Sequence, residues 1–230
     1  VRFMLKKEVG TSPTAFNRKG KRANVPTVIW NVIKNDKDFF IDGELIGEDY
    51  HVFDILEYDK KCVRNHDLIS RMKILENLVK HINSPNIIYT KIYRETEEKR
   101  KLYKDLLENN KEGIVFKKES SNYYTGRPAS GGSYLKHKFY ATCSCIVTAI
   151  NKKRSAALGL YKGKKIVSAG NVTVLPNFTI PEVGSIVEVK YLYARKQSGS
   201  LYQPIFLGNR TDIDPKECTQ NQLKFKNEED

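Results

Sequence analysis

The feature that most constrains this 230-residue chain is a change of texture after Phe139. Beyond it run TCSCIVTAI, AALGLYK, KKIVSAGNVTV, GSIVEVKYLYAR and LYQPIFLG, parted by clusters of Gly, Asn, Lys and Pro. Short segments rich in branched and aromatic residues between turn formers read as strands. About five strands in roughly seventy residues suit a small closed barrel of the OB type better than a sandwich.

Before Phe139, strands and helices are mixed. FFIDGELI (Phe39 to Ile46) and YHVFDIL (Tyr50 to Leu56) are joined by a short polar connection and read as a hairpin. Leu68, Met72, Leu75, Val79 and Ile82 recur at helical spacing, which predicts an amphipathic helix ending before Ser84-Pro85. A second helix is expected from Thr96, whose hydroxyl can cap it while Glu97 and Glu98 suit the positive end of its dipole. Its apolar face would be Leu102, Leu106 and Leu107. The expected fold is therefore α+β: a mixed domain over residues 1–138, a barrel over 139–215, and a loosely ordered tail from 216 to 230.

Forty Lys and Arg stand against 27 Asp and Glu, a formal net charge of +13, and they are interspersed along the chain. A broad basic surface suits a partner with repeating negative charge, and it equally suits a merely basic soluble protein. Cys62, Cys143, Cys145 and Cys218 lack zinc-ligand spacing, so buried reduced thiols are expected. No apolar run reaches membrane-spanning length and the first residues do not read as a signal peptide. An intracellular, reducing location is the expectation.

Several short stretches carry chemistry. In YLKHKF, alternation projects Lys136 and Lys138 together and turns His137 away. Paired ammonium groups repel unless an anion sits between them, and a polyphosphate would serve; a lysine-guarded edge strand is the plainer alternative. In KEGIVFKK, Glu112 precedes Gly113, where a small residue permits close approach of a backbone or ligand. That carboxylate can hold Mg²⁺ against phosphate oxygens, or simply pair with one of the lysines. Strict alternation places Lys117 on the opposite face from Glu112. Asp42 and Glu44 share one face of their strand, to accept a sugar hydroxyl or to face solvent. Phe53 is a core residue or a platform for a base. FNRKGKR turns at Gly20 and offers Arg18 and Arg22 to phosphate or to water.

Taken in order, VRF at Arg2, FNRKG at Arg18, IDGEL at Glu44, HVFD at Phe53, EGIVFK at Glu112 and YLKHK at Lys136 and Lys138, followed by a barrel, resemble the motif set of ATP-dependent polynucleotide ligases. The superfamily includes mRNA capping guanylyltransferases, and the small size is similar to compact viral or phage DNA ligases. The resemblance implies a nucleotidyltransferase domain of antiparallel sheets and helices followed by an OB-fold β-barrel. It implies that Arg2 and Glu44 contact the nucleotide ribose, that Phe53 stacks on adenine, and that Arg18 touches the nicked-strand phosphate or orders the sugar contacts. Glu112 would help bind Mg²⁺, Lys136 and Lys138 would hold the α-phosphate, and Lys117 belongs to the pattern around Glu112. The family's nucleophile lies in a Lys-x-Asp-Gly motif directly before the residues resembling Val1 and Arg2, so that lysine is expected upstream of Val1, in a longer polypeptide. PIFLGNRTDID resembles the last motif, which orients the pyrophosphate leaving group; Arg210 and Asp212 match it, but Ile213 stands where a lysine is expected.

The resemblance thus implies an ATP-dependent DNA ligase that seals 5′-phosphate nicks with ATP and Mg²⁺, a monomer acting on nicked duplex DNA in repair, replication or recombination. An RNA ligase, a capping guanylyltransferase or a non-catalytic nucleic-acid-binding relative are the alternatives.

Overall fold

Alternation in RFMLKK buries Phe3, Leu5 and Lys7 along β1 (Arg2–Lys7) in the computed structural model, which describes residues 1–17, 19–32, 37–125 and 132–226. The buried Lys7 ammonium donates to the carbonyls of Glu8 and Thr11, both at 2.7 Å, so its charge is solvated by backbone. After β1 come β2 (Thr14–Phe16), β3 (Arg22–Ala23), α1 (Thr27–Val32), β4 (Phe39–Ile46), β5 (Asp49–Tyr58), β6 (Lys61–Cys62), α2 (Leu68–Ile82) and β7 (Ile87–Tyr89). The strands form one sheet in the order β3-β2-β1-β4-β5-β6, with β7 added in parallel on β5. The chain then runs through α3 (Thr96–Glu108), β8 (Gly113–Lys117) and β9 (Tyr134–Lys138), the last two pairing with each other.

Two compact units result: Val1–Glu95 with Val115–Leu135, and Thr96–Ile114 with Lys136–Asp230. In the first, the expected hairpin is β4 and β5, and the expected helix is α2. Asp67 caps α2 by accepting from the Ser70 amide, and Asn83 ends it in the left-handed conformation at φ 48°. Leu68, Met72, Leu75 and Leu78 pack with Phe3, Leu5, Ile41, Val52 and Ile55 of the sheet. Each such buried side chain contributes roughly 1.5–3 kcal/mol, and together they hold helix to sheet. α3 starts at Thr96, which is its first helical residue and not its cap, with Glu97 and Glu98 in the first turn as expected, but Leu107 is exposed and no residue of α3 is fully buried.

The second unit contains β10 (Ala141–Asn151), β11 (Ser155–Lys162), β12 (Lys165–Thr173), β13 (Ile186–Tyr191), β14 (Tyr193–Ala194), β15 (Leu201–Tyr202) and β16 (Ile205–Arg210). Five of these make an antiparallel sheet in the order β12-β11-β10-β13-β16 around a core that includes Val147, Leu158, Leu160, Val187 and Val189. The fold is α+β with an OB-type sheet, as expected. The expected full closure is not seen: among the described residues no ladder joins β12 to β16, which leaves a partly open barrel.

Two expectations are corrected. The segment from Pro215 to Lys226 is not a loose tail. Asp214 and Glu217 form a reciprocal cap on a 3-10 turn, Cys218 and Leu223 are buried, and Thr219 and Phe225 bridge to Tyr161 and Ala194. Apolar residues at 218, 223 and 225 find the barrel core, which outweighs the polar composition around them. Cys143, Cys145 and Cys218 are buried thiols, but Cys62 lies exposed on the edge strand β6. Burial pushes the Cys218 thiol up to about 11. No described helix is long and apolar enough to cross a membrane.

Candidate functional site

The β4–β5 hairpin creates an electrostatic problem. Its register sets Asp42 opposite Asp54 and Gly43 opposite Val52, so Phe53 is the extra residue of a bulge. Both aspartates are buried, and like charges directly opposed across strands destabilise a sheet. Each is therefore matched by its own guanidinium. Arg2 grips Asp42 with Nε at 3.0 Å and a terminal nitrogen at 2.5 Å, while Tyr123 donates its hydroxyl to the same carboxylate at 2.8 Å. Arg71 grips Asp54 at 2.8 and 3.2 Å, and the hydroxyl of Tyr134 donates to Asp54 at 3.3 Å. The hydrogen bonds from Arg2 to Asp42 hold its guanidinium charged well above the usual range, and burial beside Asp42 pushes the Tyr123 phenol up.

Phe53 sits where these groups meet. The Arg2 guanidinium lies 5.3 Å from its ring centroid and the Lys117 ammonium 5.2 Å from it. Lys117 also lies 5.2 Å from the Tyr134 ring, donates to the Phe53 carbonyl at 2.9 Å, and stands 3.9 Å from Asp54. Burial lowers its pKa although Asp54 raises it. Phe53 is only partly buried, so it keeps surface for a ligand between two cations that favour its π face.

In this unit the structure brings together Arg2, Phe53 and Lys117 from the sequence-based set. Glu44 stays exposed: it stands opposite Arg2 in the β1–β4 register, yet Arg2 turns to Asp42. Arg18 lies outside the described residues. Around it, the Asn17 side chain accepts from the amides of Lys19 and Lys21 and Gly20 adopts φ +73°, forming the predicted turn. Sequence reasoning missed Asp54, Arg71, Tyr123 and Tyr134. Arg71 had left a signal, because it interrupts the buried face of α2 between Leu68 and Met72, where a cation needs an acid.

In the second unit, Lys138 donates to Glu112 at 2.9 Å and to the Gln203 side-chain oxygen at 3.1 Å. His137 leaves that face and meets Tyr103 and Phe139, as alternation requires. Lys136 is exposed. The Glu112 carboxylate is more than half exposed and thus pairs with a lysine while remaining open to a ligand. Gly113 explains how the strand packs: a Cβ there would lie 2.1 Å from the His137 carbonyl oxygen, and its φ of +153° disfavours other residues. Gly113→Ala is expected to displace Glu112 from Lys138 and to lower stability by at least about 1–3 kcal/mol. Denaturant midpoints of the two proteins check this; equal midpoints would contradict the close approach.

At the end of β16, Arg210 is held by Asp212 at 2.9 and 2.5 Å and by Glu188 at 3.2 Å. Its bonds to Asp212 hold its charge well above the usual range. Ile213 packs against the barrel core, which accounts for an apolar residue at that position. Among the described residues no group of three or more His, Cys, Asp or Glu is arranged to hold a metal. A single carboxylate such as Glu112 still fits a cation that takes its remaining ligands from phosphate and water.

Comparison with known proteins follows the same stretch of chain. Residues 48–138, which include Phe53, Glu112, Lys117, Lys136 and Lys138, match the family model described as ATP dependent DNA ligase domain. No curated protein matches the chain. Among solved structures, the ligase domain of LigD from M. tuberculosis is 17% identical with a TM-score of 0.55, covering 95% of this chain and 88% of that one. Mycobacterial DNA ligase D complexed with ATP and MES gives the same values. A structure from a study of Lig E DNA ligases as a minimal DNA-binding scaffold is 17% identical with a TM-score of 0.63, covering 91% of this chain and 92% of that one. At such identities the likeness establishes the fold.

Proposed function

We infer that this chain, an ATP-dependent DNA ligase through the domain matched at residues 48–138, seals nicks between a 5′-phosphate and a 3′-hydroxyl by way of enzyme-AMP and DNA-adenylate intermediates. The observation that carries the reading is that one matched segment holds both the Phe53–Lys117 contact and the Glu112–Lys138 pair. Phe53 supplies the face on which adenine stacks, flanked by the cations Arg2 and Lys117. Arg2 and Glu44 serve the ribose, with Asp42 and Tyr123 fixing the Arg2 guanidinium in place. Lys136 and Lys138 offset the charge that develops on the α-phosphate during transfer, and Arg18 serves the phosphate of the nicked strand.

Glu112 would hold Mg²⁺ together with phosphate oxygens, and the ion would supply charge neutralisation there. Arg210 and Asp212 are assigned to the leaving group or to DNA. The first chemical step joins a lysine amine to the α-phosphorus and releases pyrophosphate. AMP then passes to the 5′-phosphate of the nick, and the 3′-hydroxyl displaces it to form the phosphodiester. Residues 1–138 are assigned to nucleotide chemistry and 139–215 to duplex binding, with the protein working as a monomer inside the cell. The net charge of +13 favours a polyanionic duplex and predicts binding that weakens steeply with salt.

The test is the intact mass of the full-length protein after incubation with ATP and Mg²⁺, beside a sample given ATP without the metal. The sample given both is expected to gain one AMP. If it gains no mass while it binds nicked DNA, the enzyme reading fails in favour of a nucleic-acid-binding protein.

A further inference from the structure

Gln203 is placed where a glutamine has little reason to be. It follows β15 with φ of +52°, in the left-handed region, and it directly precedes Pro204. A long side chain is disfavoured in that region, and a following proline disfavours helical backbone further. Glycine would be the ordinary residue for such a turn. Backbone strain of this kind persists where the surrounding structure over-determines it, and it clusters at functional positions. Here the preceding residue is fixed: Tyr202 stacks on Tyr193 with centroids 4.7 Å apart and planes inclined by 14°, and Arg195 lies 5.7 Å from the Tyr202 ring. The strained turn aims the Gln203 amide oxygen at the Lys138 ammonium, 3.1 Å away, while Glu112 takes a second ammonium hydrogen at 2.9 Å.

We propose that Gln203 is a positioning residue for Lys138: its amide, together with Glu112, fixes the ammonium so that its remaining hydrogen and its charge are aimed at the phosphate being transferred. The inference rests on the ligase reading above. An ammonium has three donors, and two acceptors on the protein leave one for the substrate. An amide suits this second place better than a carboxylate, because it orients the ammonium without neutralising more of its charge. Without the amide, the lysine head keeps only Glu112 and rotates on a flexible stem, so the loss falls on the chemical step and not on DNA affinity.

Gln203→Gly separates the two roles the residue could have, since glycine accepts the backbone conformation and lacks the amide. In the full-length protein, Gln203→Gly is expected to melt at or slightly above the wild-type temperature. It is also expected to bind nicked DNA with unchanged affinity and to seal a pre-adenylylated nick roughly tenfold more slowly under single-turnover conditions. In a Lys138→Ala background the same change is expected to cause no further loss, because the ammonium it orients is gone. Sealing by Gln203→Gly at the wild-type rate, or an equal fold-loss in both backgrounds, would overturn the proposal. Failure of the ligase reading is recognised separately: the wild type itself would then take up no AMP, and both inferences would fall together.

Discussion

Replacing Arg71 by alanine is expected to remove about 3–5 kcal/mol of stability from the first unit. Arg71 is fully buried and spends its guanidinium on four groups. It donates to Asp54, to the carbonyls of His66 and Ser121 at 2.6 and 2.8 Å, and to the Tyr134 hydroxyl at 2.9 Å. Removal strands a buried carboxylate and leaves two carbonyls short of a donor. Breaking a buried pair from one side costs far more than the pair contributes relative to an apolar replacement. Against a total of about 5–15 kcal/mol for a domain, the loss would be large. Denaturant unfolding would show it as a fall in midpoint at similar slope. Pairing Arg71→Met with Asp54→Asn is expected to recover part of the loss, because the carboxylate that Arg71 matched is then neutral, while Lys117 loses the acid 3.9 Å away. A single variant within about 1 kcal/mol of wild type would mean that Asp54 finds other compensation.

Substituting Glu112 by alanine in the full-length protein is expected to lower Mg²⁺-dependent nick sealing by on the order of a hundredfold or more. Two losses combine. The Lys138 ammonium loses the carboxylate 2.9 Å away, and the site loses the oxygen ligand proposed for the cation. Glu112→Gln distinguishes them, since its side-chain oxygen can still accept from Lys138 while the negative charge is gone. If the glutamine variant recovers most of the rate, orientation of Lys138 dominates. If it seals as poorly as the alanine variant and excess Mg²⁺ does not help, the charge itself is required. Single-turnover sealing rates decide, and an alanine variant that seals at the wild-type rate would remove Glu112 from the site.

Much of the fold was legible because it rests on local periodicity. Five apolar positions at helical spacing define α2 whatever it packs against. The β-rich second half was equally plain, since turn formers punctuate it. What could not be read was the barrel's open edge and the fate of residues 215–226. Cys218, Leu223 and Phe225 look unremarkable in a polar stretch until a core exists to receive them. The site divided in the same way. Phe53, Glu112, Lys117 and the two lysines of β9 stand in recognisable short motifs. Arg71, Tyr123 and Tyr134 do not, because their partners lie far away along the chain.

By itself the amino-acid sequence determined which residues share a strand or helix face, since side-chain direction repeats every two residues or every 3.6 and needs no partner. It thereby set Lys136 with Lys138 and turned His137 away. Only the tertiary structure decided that Asp42 and not Glu44 holds Arg2, that Phe53 is the bulged residue beside Lys117, and that Gln203 reaches Lys138. The reason is physical: a charge's partner is chosen by burial and by the register of strands distant in sequence, and neither exists until the sheet has closed on its core.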